Sequence, residues 1–258
     1  MRLKWLAVLG LVLTGCQGAD EATVGGEEAL VVSSAASLIP VLEPLAASYT
    51  RSGGATVELN FAASSVLAAQ IVNGAPVDLF ISADRFQMER VTTAGRVAQP
   101  GPVDLLSNRL AFVAPAGSPL ALAAAGDLLV AESARIAIAD PTGVPAGVYA
   151  RAYLEAAGLW EALEPRLLPT QNVRAALATV EGGDAEVGIV YDTDARSTSG
   201  VKTLLVVAEG EGPVIAYPAA VLTESTMSAE ARRFLDYLLG ADARAVFEAA
   251  GFGLAGAH

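Results

Sequence analysis

Short apolar runs alternate with amphipathic stretches along most of this chain. Val31–Val32 opens a strand, and Leu38, Val41, Leu42, Leu45, Ala46 and Tyr49 then fall on one helical face. Pro40 suits a first helical turn, whereas Pro44 lies deeper and is expected to kink or shorten that helix. A second strand is expected over Val57–Phe61, followed by a helix capped by Ser64 or Ser65 and stopped at Gly74. "VDLFIS" reads as a buried strand and "ADRFQMERVTTAG" as a helix ending at Gly95. "LAFVAP" is a further strand, and "RIAIADPTGVPAGVYARAYLEAAG" gives strand, loop and helix with Gly158 as its stop. Asn172 caps "VRAALATVEGG"; "VGIVY", "VKTLLVV" and "VIAYPAAVL" are strands; "SAEARRFLDYLLG" and "DARAVFEAAGF" are helices. This alternation predicts an α/β fold with mainly parallel strands, enough of them for two small sheets, and no internal repeat of fixed period.

At 258 residues the chain has room for one large domain or two small ones, and 53% hydrophobic residues supply core material. Past the N-terminus, no apolar run approaches the roughly 20 residues of a spanning helix. The N-terminus itself, "MRLKWLAVLGLVLTGC", has Arg2 and Lys4 before an apolar stretch, the pattern of a secretory signal peptide. Its ending, Leu13-Thr14-Gly15-Cys16, resembles the lipobox of bacterial lipoproteins. That resemblance implies cleavage after residue 15 and a lipid on the Cys16 thiol. The polar, glycine-containing segment Gln17 to Ala29 then reads as a tether. The expected location is extracytoplasmic, with the membrane touched through a lipid anchor only.

A formal net charge of −12 makes a nucleic-acid partner a poor expectation. It also means that any anionic ligand meets a repulsive global field, which local donors must overcome. The only cysteine is Cys16 and the only histidine is His258. A disulfide in the body, a Cys/His zinc site and a catalytic Ser–His or Cys–His pair are therefore not expected.

Four strand-to-helix junctions carry the candidate chemistry. Ser37 follows the first strand and Ser64 the second; Ala146 stands after Pro145 at a helix start; Val173 follows the Asn172 cap. Helix N-termini present unpaired N–H groups and about half a positive charge, so they hold anions without lysine or arginine. Tyr191, at the C-terminal end of "GIVY", adds a hydroxyl at the end of the sheet where ligands bind in α/β proteins. Each feature alone has a structural reading, as a cap or as packing; it is the set that points to an oxyanion.

The stretches "AASL", "FAASSVLAAQIVNGAPVDLFISAD", "ADPTGVPAGVYA", "NVRAALATVEGGDAEVGIVYDTDA" and "YPAAV", with "FLDYLLG" and "FEAAGF" near the end, carry a resemblance. From about Leu30 to Phe252 the chain resembles the molybdate-binding proteins of bacterial ABC transporters. The resemblance implies a two-domain, periplasmic-binding-protein-like (type II) α/β fold, with a ligand cleft between the domains and a crossover-strand hinge. It implies residues 1–15 as signal peptide and 16–29 as lipidated cysteine and tether. Residues 30–107 with 218–258 would form the first domain and 108–217 the second. Carried over motif by motif, the oxyanion ligands fall on Ser37, Ser64, Ala146, Val173 and Tyr191, the same five positions. Ala63, where relatives often carry a third serine, and Val66, in place of a frequent threonine, depart from the pattern.

The expected function is binding of molybdate or tungstate for delivery to an ABC transporter permease. No catalysis, no cofactor, no metal coordinated directly by protein atoms, and a monomer are expected. Molybdate near neutral pH is proton-free and needs only donors, which hydroxyls and N–H groups provide. Phosphate carries a proton and wants an acceptor; none of the five residues supplies one. Asp84, Asp140 and Asp192 lie near the motifs and are read as caps or solvated loop residues. Sulfate, proton-free like molybdate, would be excluded by size alone and remains the alternative ligand.

Overall fold

A computed structural model describes residues 28–131 and 134–254. The expected signal peptide, Cys16 and most of the tether lie outside the described residues. At the tether's end, Glu28 accepts a 2.8 Å hydrogen bond from the Thr226 hydroxyl.

The chain builds two sheets in succession and then returns to the first. β1 (Leu30–Ala35), α1 (Ile39–Arg51), β2 (Val57–Ala62), α2 (Ser64–Val72), β3 (Leu79–Ile81), α3 (Arg85–Thr93) and β4 (Val103–Asn108) come first. The second sheet is formed by β5 (Leu110–Pro115), β6 (Ile136–Ala139), β7 (Leu167–Thr170), β8 (Val187–Tyr191) and β9 (Val201–Val206). Between those strands run α4 (Pro145–Ala156), the short α5 (Trp160–Leu163), α6 (Val173–Glu181) and the short α7 (Asp192–Arg196). β10 (Ile215–Val221), α8 (Ser228–Leu239), α9 (Ala241–Ala249) and β11 (Gly253–Leu254) close the chain on the first sheet. The strand orders are β11-β4-β10-β3-β1-β2 and β7-β6-β8-β5-β9.

The expectation of mainly parallel strands is corrected here. β1 pairs in parallel with β2 and β3, and β6 with β7 and β8. β10 instead runs antiparallel to β3 and β4, β11 antiparallel to β4, and β5 antiparallel to β8 and β9. β5 and β10, the strands entered by the two passages between sheets at Arg109 and over residues 207–214, make every one of these antiparallel pairs except that of β11 with β4. A strand arriving from the other sheet has no crossover helix to turn it round, so it enters antiparallel. β10 begins at Ile215, so it straddles the expected domain boundary after residue 217.

Burial on both faces explains the central strands. Leu79 and Ile81 of β3 pack into the core shared with α1 and α8, while Phe80 between them packs with Leu67, Ile71, Met88 and Val91 under α2 and α3. α1 runs for 13 residues straight through Pro44, against expectation. The N–H that Pro44 lacks would have bonded the carbonyl of Pro40, in the first turn. Pro44 itself faces solvent while Val41, Leu42, Leu45 and Tyr49 anchor the other side. The expected stops at Gly74 and Gly158 have φ of 89° and 69°, the left-handed conformation that ends a helix at least cost in glycine. β4, β7, β11, α5 and α7 are short elements without a clear periodic signal. β7 even contains Pro169, tolerated because β7 lies at a sheet edge.

Candidate oxyanion site

All five expected site residues line one small cavity. Its walls are Ala35, Ala36 and Ser37 after β1; Ala62, Ala63 and Ser64 after β2; Ala83; Val144, Pro145 and Ala146 at the start of α4; Asn172 and Val173 at the start of α6; and Tyr191 at the end of β8. Strand ends of both sheets thus face one another across it. Its volume is about 20 Å³ on a measure by which one water needs roughly 10–15 Å³. A larger cavity of about 420 Å³ lies beside the crossover, around Arg109, Pro213 and Phe252, and contains none of the five.

Local sequence puts donors at these walls. α2, α4 and α6 all begin here, and only α6 is capped by a side chain, with Asn172 Oδ1 accepting from Ala175 N–H at 2.9 Å. In α4, Val148 N–H is the first to find a carbonyl, that of Val144. Pro145 has no N–H to give, so Ala146 carries the first N–H of the helix. In α6, Val173 is the first helical residue and precedes the capped N–H. Three helix N-termini converge on one point, each contributing about half a positive charge.

The serines act otherwise than as caps. Ala63, in extended conformation, occupies the cap position of α2, and Ser64 is its first helical residue with no side-chain cap bond. The expected capping role of Ser64 or Ser65 is thereby corrected. Ser64 Oγ instead accepts the Ala83 N–H at 2.9 Å. Ser37, in a short 3-10 turn, lies 3.0 Å from the Tyr217 hydroxyl. Both serines are almost fully buried. Tyr191 is 1% exposed, and its hydroxyl has no hydrogen-bond partner in the protein. A buried hydroxyl left unpaired costs roughly 1–3 kcal/mol, so Tyr191 is a donor in want of an acceptor. Burial, the largest cause, raises its phenol well above the ordinary value, and so keeps the proton on the oxygen.

No lining residue is charged. Asp84 caps α3, accepting from Gln87 N–H at 2.8 Å, and Asp140 accepts from both the N–H and the hydroxyl of Thr142. Asp192 is held by Arg109 and Arg196 at 2.9 and 3.0 Å, an ion-paired role rather than a cap or solvated loop. Arg174 turns away to Ser197 and Asp194. Asp194 is fully buried, and its carboxyl is pushed up to about 7, mainly by burial and against the pull of Arg174. Sequence reading missed Tyr217 and Asn108, which stand behind Ser37; "YPAAV" marked the family but gave no sign of the contact. Among the described residues, no cluster of three or more His, Cys, Asp or Glu could hold a metal ion. No described helix is long and apolar enough to cross a membrane.

Two sheets joined by crossover strands, with donors from both at one cleft, define a two-domain solute-binding protein. The chain belongs to the bacterial extracellular solute-binding protein family, whose profile matches residues 30–253. It is 36% identical to the molybdate-binding protein ModA of Escherichia coli, over 98% of this chain and 99% of that one. It is 30% identical to the putative ABC transporter substrate-binding lipoprotein YvgL of Bacillus subtilis, over 94% and 93%. Among solved structures it resembles the Azotobacter vinelandii periplasmic molybdate-binding protein, with a TM-score of 0.79 and 26% identity over 87% of this chain and 99% of that one.

Proposed function

We propose that this protein binds molybdate, and tungstate equally, outside the cytoplasm and delivers it to an ABC transporter permease. The ligand is held by the hydroxyls of Ser37, Ser64 and Tyr191 and the backbone N–H groups of Ala146 and Val173. The observation that carries this reading is the cavity itself: these five donors meet there, and no carboxylate or cation lines it. A charge-assisted hydrogen bond contributes about 1.5–3 kcal/mol. Several together reach the roughly 8–12 kcal/mol of a micromolar-to-nanomolar site. The partial charges of three helix ends offset the repulsion of a chain at −12 without introducing a counter-ion.

The protein works as a monomeric carrier without catalysis or cofactor. It is anchored through lipid on Cys16, with residues 30–107 and 218–258 in one domain and 108–217 in the other. Thermal unfolding of the body from Gln17 onward, with each anion at equal concentration, tests the reading. A ligand at 100 times its Kd stabilises by about 2.7 kcal/mol, a rise of several degrees in Tm for a chain of this size. Molybdate and tungstate are expected to raise Tm, with sulfate and phosphate giving little. A response to sulfate equal to that for molybdate would make this a general dianion carrier, and no response to any of the four would overturn the oxyanion assignment.

A further inference from the structure

Behind Ser37 lies a chain of buried hydrogen bonds whose direction can be read from one end. Asn108 closes β4 at the passage between the sheets. Its Oδ1 accepts the Arg109 N–H at 2.9 Å. An N–H can face only the oxygen of the amide, so the NH₂ group is the one turned toward Tyr217 and Thr193. Asn108 Nδ2 reaches the Thr193 hydroxyl at 2.9 Å and the Tyr217 hydroxyl at 3.3 Å. A nitrogen carrying two hydrogens can only donate, so the Tyr217 oxygen accepts. The single Tyr217 proton then has one acceptor, the Ser37 oxygen at 3.0 Å. Ser37 is left with its own proton and no protein acceptor for it except across the cavity. Ser64 is set the same way by a backbone donor, Ala83 N–H.

We propose that Asn108 and Tyr217 form a donor relay that fixes the Ser37 hydroxyl as a donor into the cavity, and so select proton-free dianions over proton-bearing ones. The inference rests on the oxyanion reading of the cavity. Neither residue touches the ligand; both are positioning residues. For Ser37 to meet a hydrogen phosphate as an acceptor alone, with no proton of its own aimed at the anion, the serine proton must turn back to Tyr217. Tyr217 would then face two donors, and its own proton would be stranded unpaired in a buried site, which is disfavoured. Tyr217 is fully buried between Tyr191 and Phe252, with ring centroids at 6.1 and 5.6 Å, so its hydroxyl has little freedom to swing elsewhere. Burial also raises its phenol above the ordinary range, so the relay keeps its proton at any physiological pH. Asn108, Tyr217 and the turn of Ser37 all belong to the first sheet, and the Thr193 bond ties Asn108 to α7 beside the second.

The test reverses the relay by one isosteric change. In Asn108→Asp the carboxylate accepts where the amide donated, so the Tyr217 proton turns to it and Ser37 can donate backward to Tyr217. Ser37 then presents an acceptor to the cavity. Dissociation constants for molybdate and for hydrogen phosphate are measured by calorimetry at pH 8, where both are dianions. The charge added by the N108D change repels the two alike and cancels in their ratio. The preference for molybdate is expected to fall at least tenfold in N108D. In Tyr217→Phe, which keeps the ring, molybdate affinity is expected to fall about tenfold while the ligand-free Tm stays close to that of the unaltered protein. An unchanged ratio in N108D, or unaltered molybdate affinity in Y217F, overturns the relay while leaving the oxyanion site standing. Should N108D fail to fold, Y217F alone decides. Absence of molybdate binding by the unaltered protein overturns the oxyanion reading, and the relay with it.

Discussion

Gly147 sits so close to Ala139 that a β-carbon on it would lie 2.1 Å from the Ala139 carbonyl oxygen. The first turn of α4 is thereby pressed against the end of β6, and the same contact sets where the Ala146 N–H points. Gly147→Ala forces backbone against backbone, which no side-chain rotation relieves. An overpacked contact of this kind costs about 1–3 kcal/mol, a loss of several degrees in Tm. Because the helix end itself must move, molybdate affinity is expected to fall at least tenfold as well, checked by calorimetry beside the thermal melt.

Ser64 separates loss of a donor from arrival of a charge. Ser64→Ala removes one hydrogen bond to a dianion and leaves Ala83 N–H unpaired; about 1.5–3 kcal/mol corresponds to a roughly 10- to 150-fold weaker Kd. Ser64→Asp puts a carboxylate against the dianion, and binding should vanish. If S64D kept unaltered affinity, Ser64 would lie outside the site.

Ionic strength offers a test that a cationic site would answer with the opposite sign. The chain carries −12 and its cavity walls carry no charged side chain, so the approaching dianion is repelled at long range. Added sodium chloride shortens the Debye length to about 10 Å at 0.1 M. The association rate for molybdate in stopped flow is therefore expected to rise with salt, where lysine- or arginine-steered binding slows.

Asp194 sets a pH dependence of stability. Its folded carboxyl titrates near 7, raised by burial, against 3.8 for the free group. The unfolded chain releases this proton first, so the stability contribution is complete below about pH 4 and declines as pH rises toward 7. Above that it stays flat. Asp194→Asn cannot titrate, so the difference in unfolding free energy between the two proteins should change steadily from about pH 4 to 7 and then level off. A difference constant across that range would show that Asp194 ionises normally in the fold.

Removing the Asp78 carboxylate tests the architecture rather than the site. Its oxygens accept from Val31 N–H at 2.8 Å and from the Ser225 hydroxyl at 2.6 Å, tying β1 to the loop before α8. Asp78→Ala leaves the part-buried Val31 N–H without its carboxylate partner and is expected to cost about 1–3 kcal/mol, read by denaturant unfolding. Molybdate selectivity over phosphate should be unchanged.

The chain's own order of residues determined most of the elements and their faces. A continuous apolar run in "VDLFIS" and a helical period in "VRAALATVEGG" express burial that is local in sequence, and the structure keeps both. The five candidate residues were legible for the same reason: each stands at a strand-to-helix junction, and a junction is a local signal. That all five line one cavity, and that Ser64 takes a backbone donor from Ala83 rather than capping its helix, follows from how the two sheets face each other. So do the antiparallel strands at the crossings, since strand direction is decided by which sheet the chain enters. Ser37 and Tyr217 are 180 residues apart, and nothing in the neighbourhood of either announces the other. Only the tertiary fold brings the phenol behind the serine, because hydrogen-bond direction depends on three-dimensional proximity that no periodicity along the chain encodes.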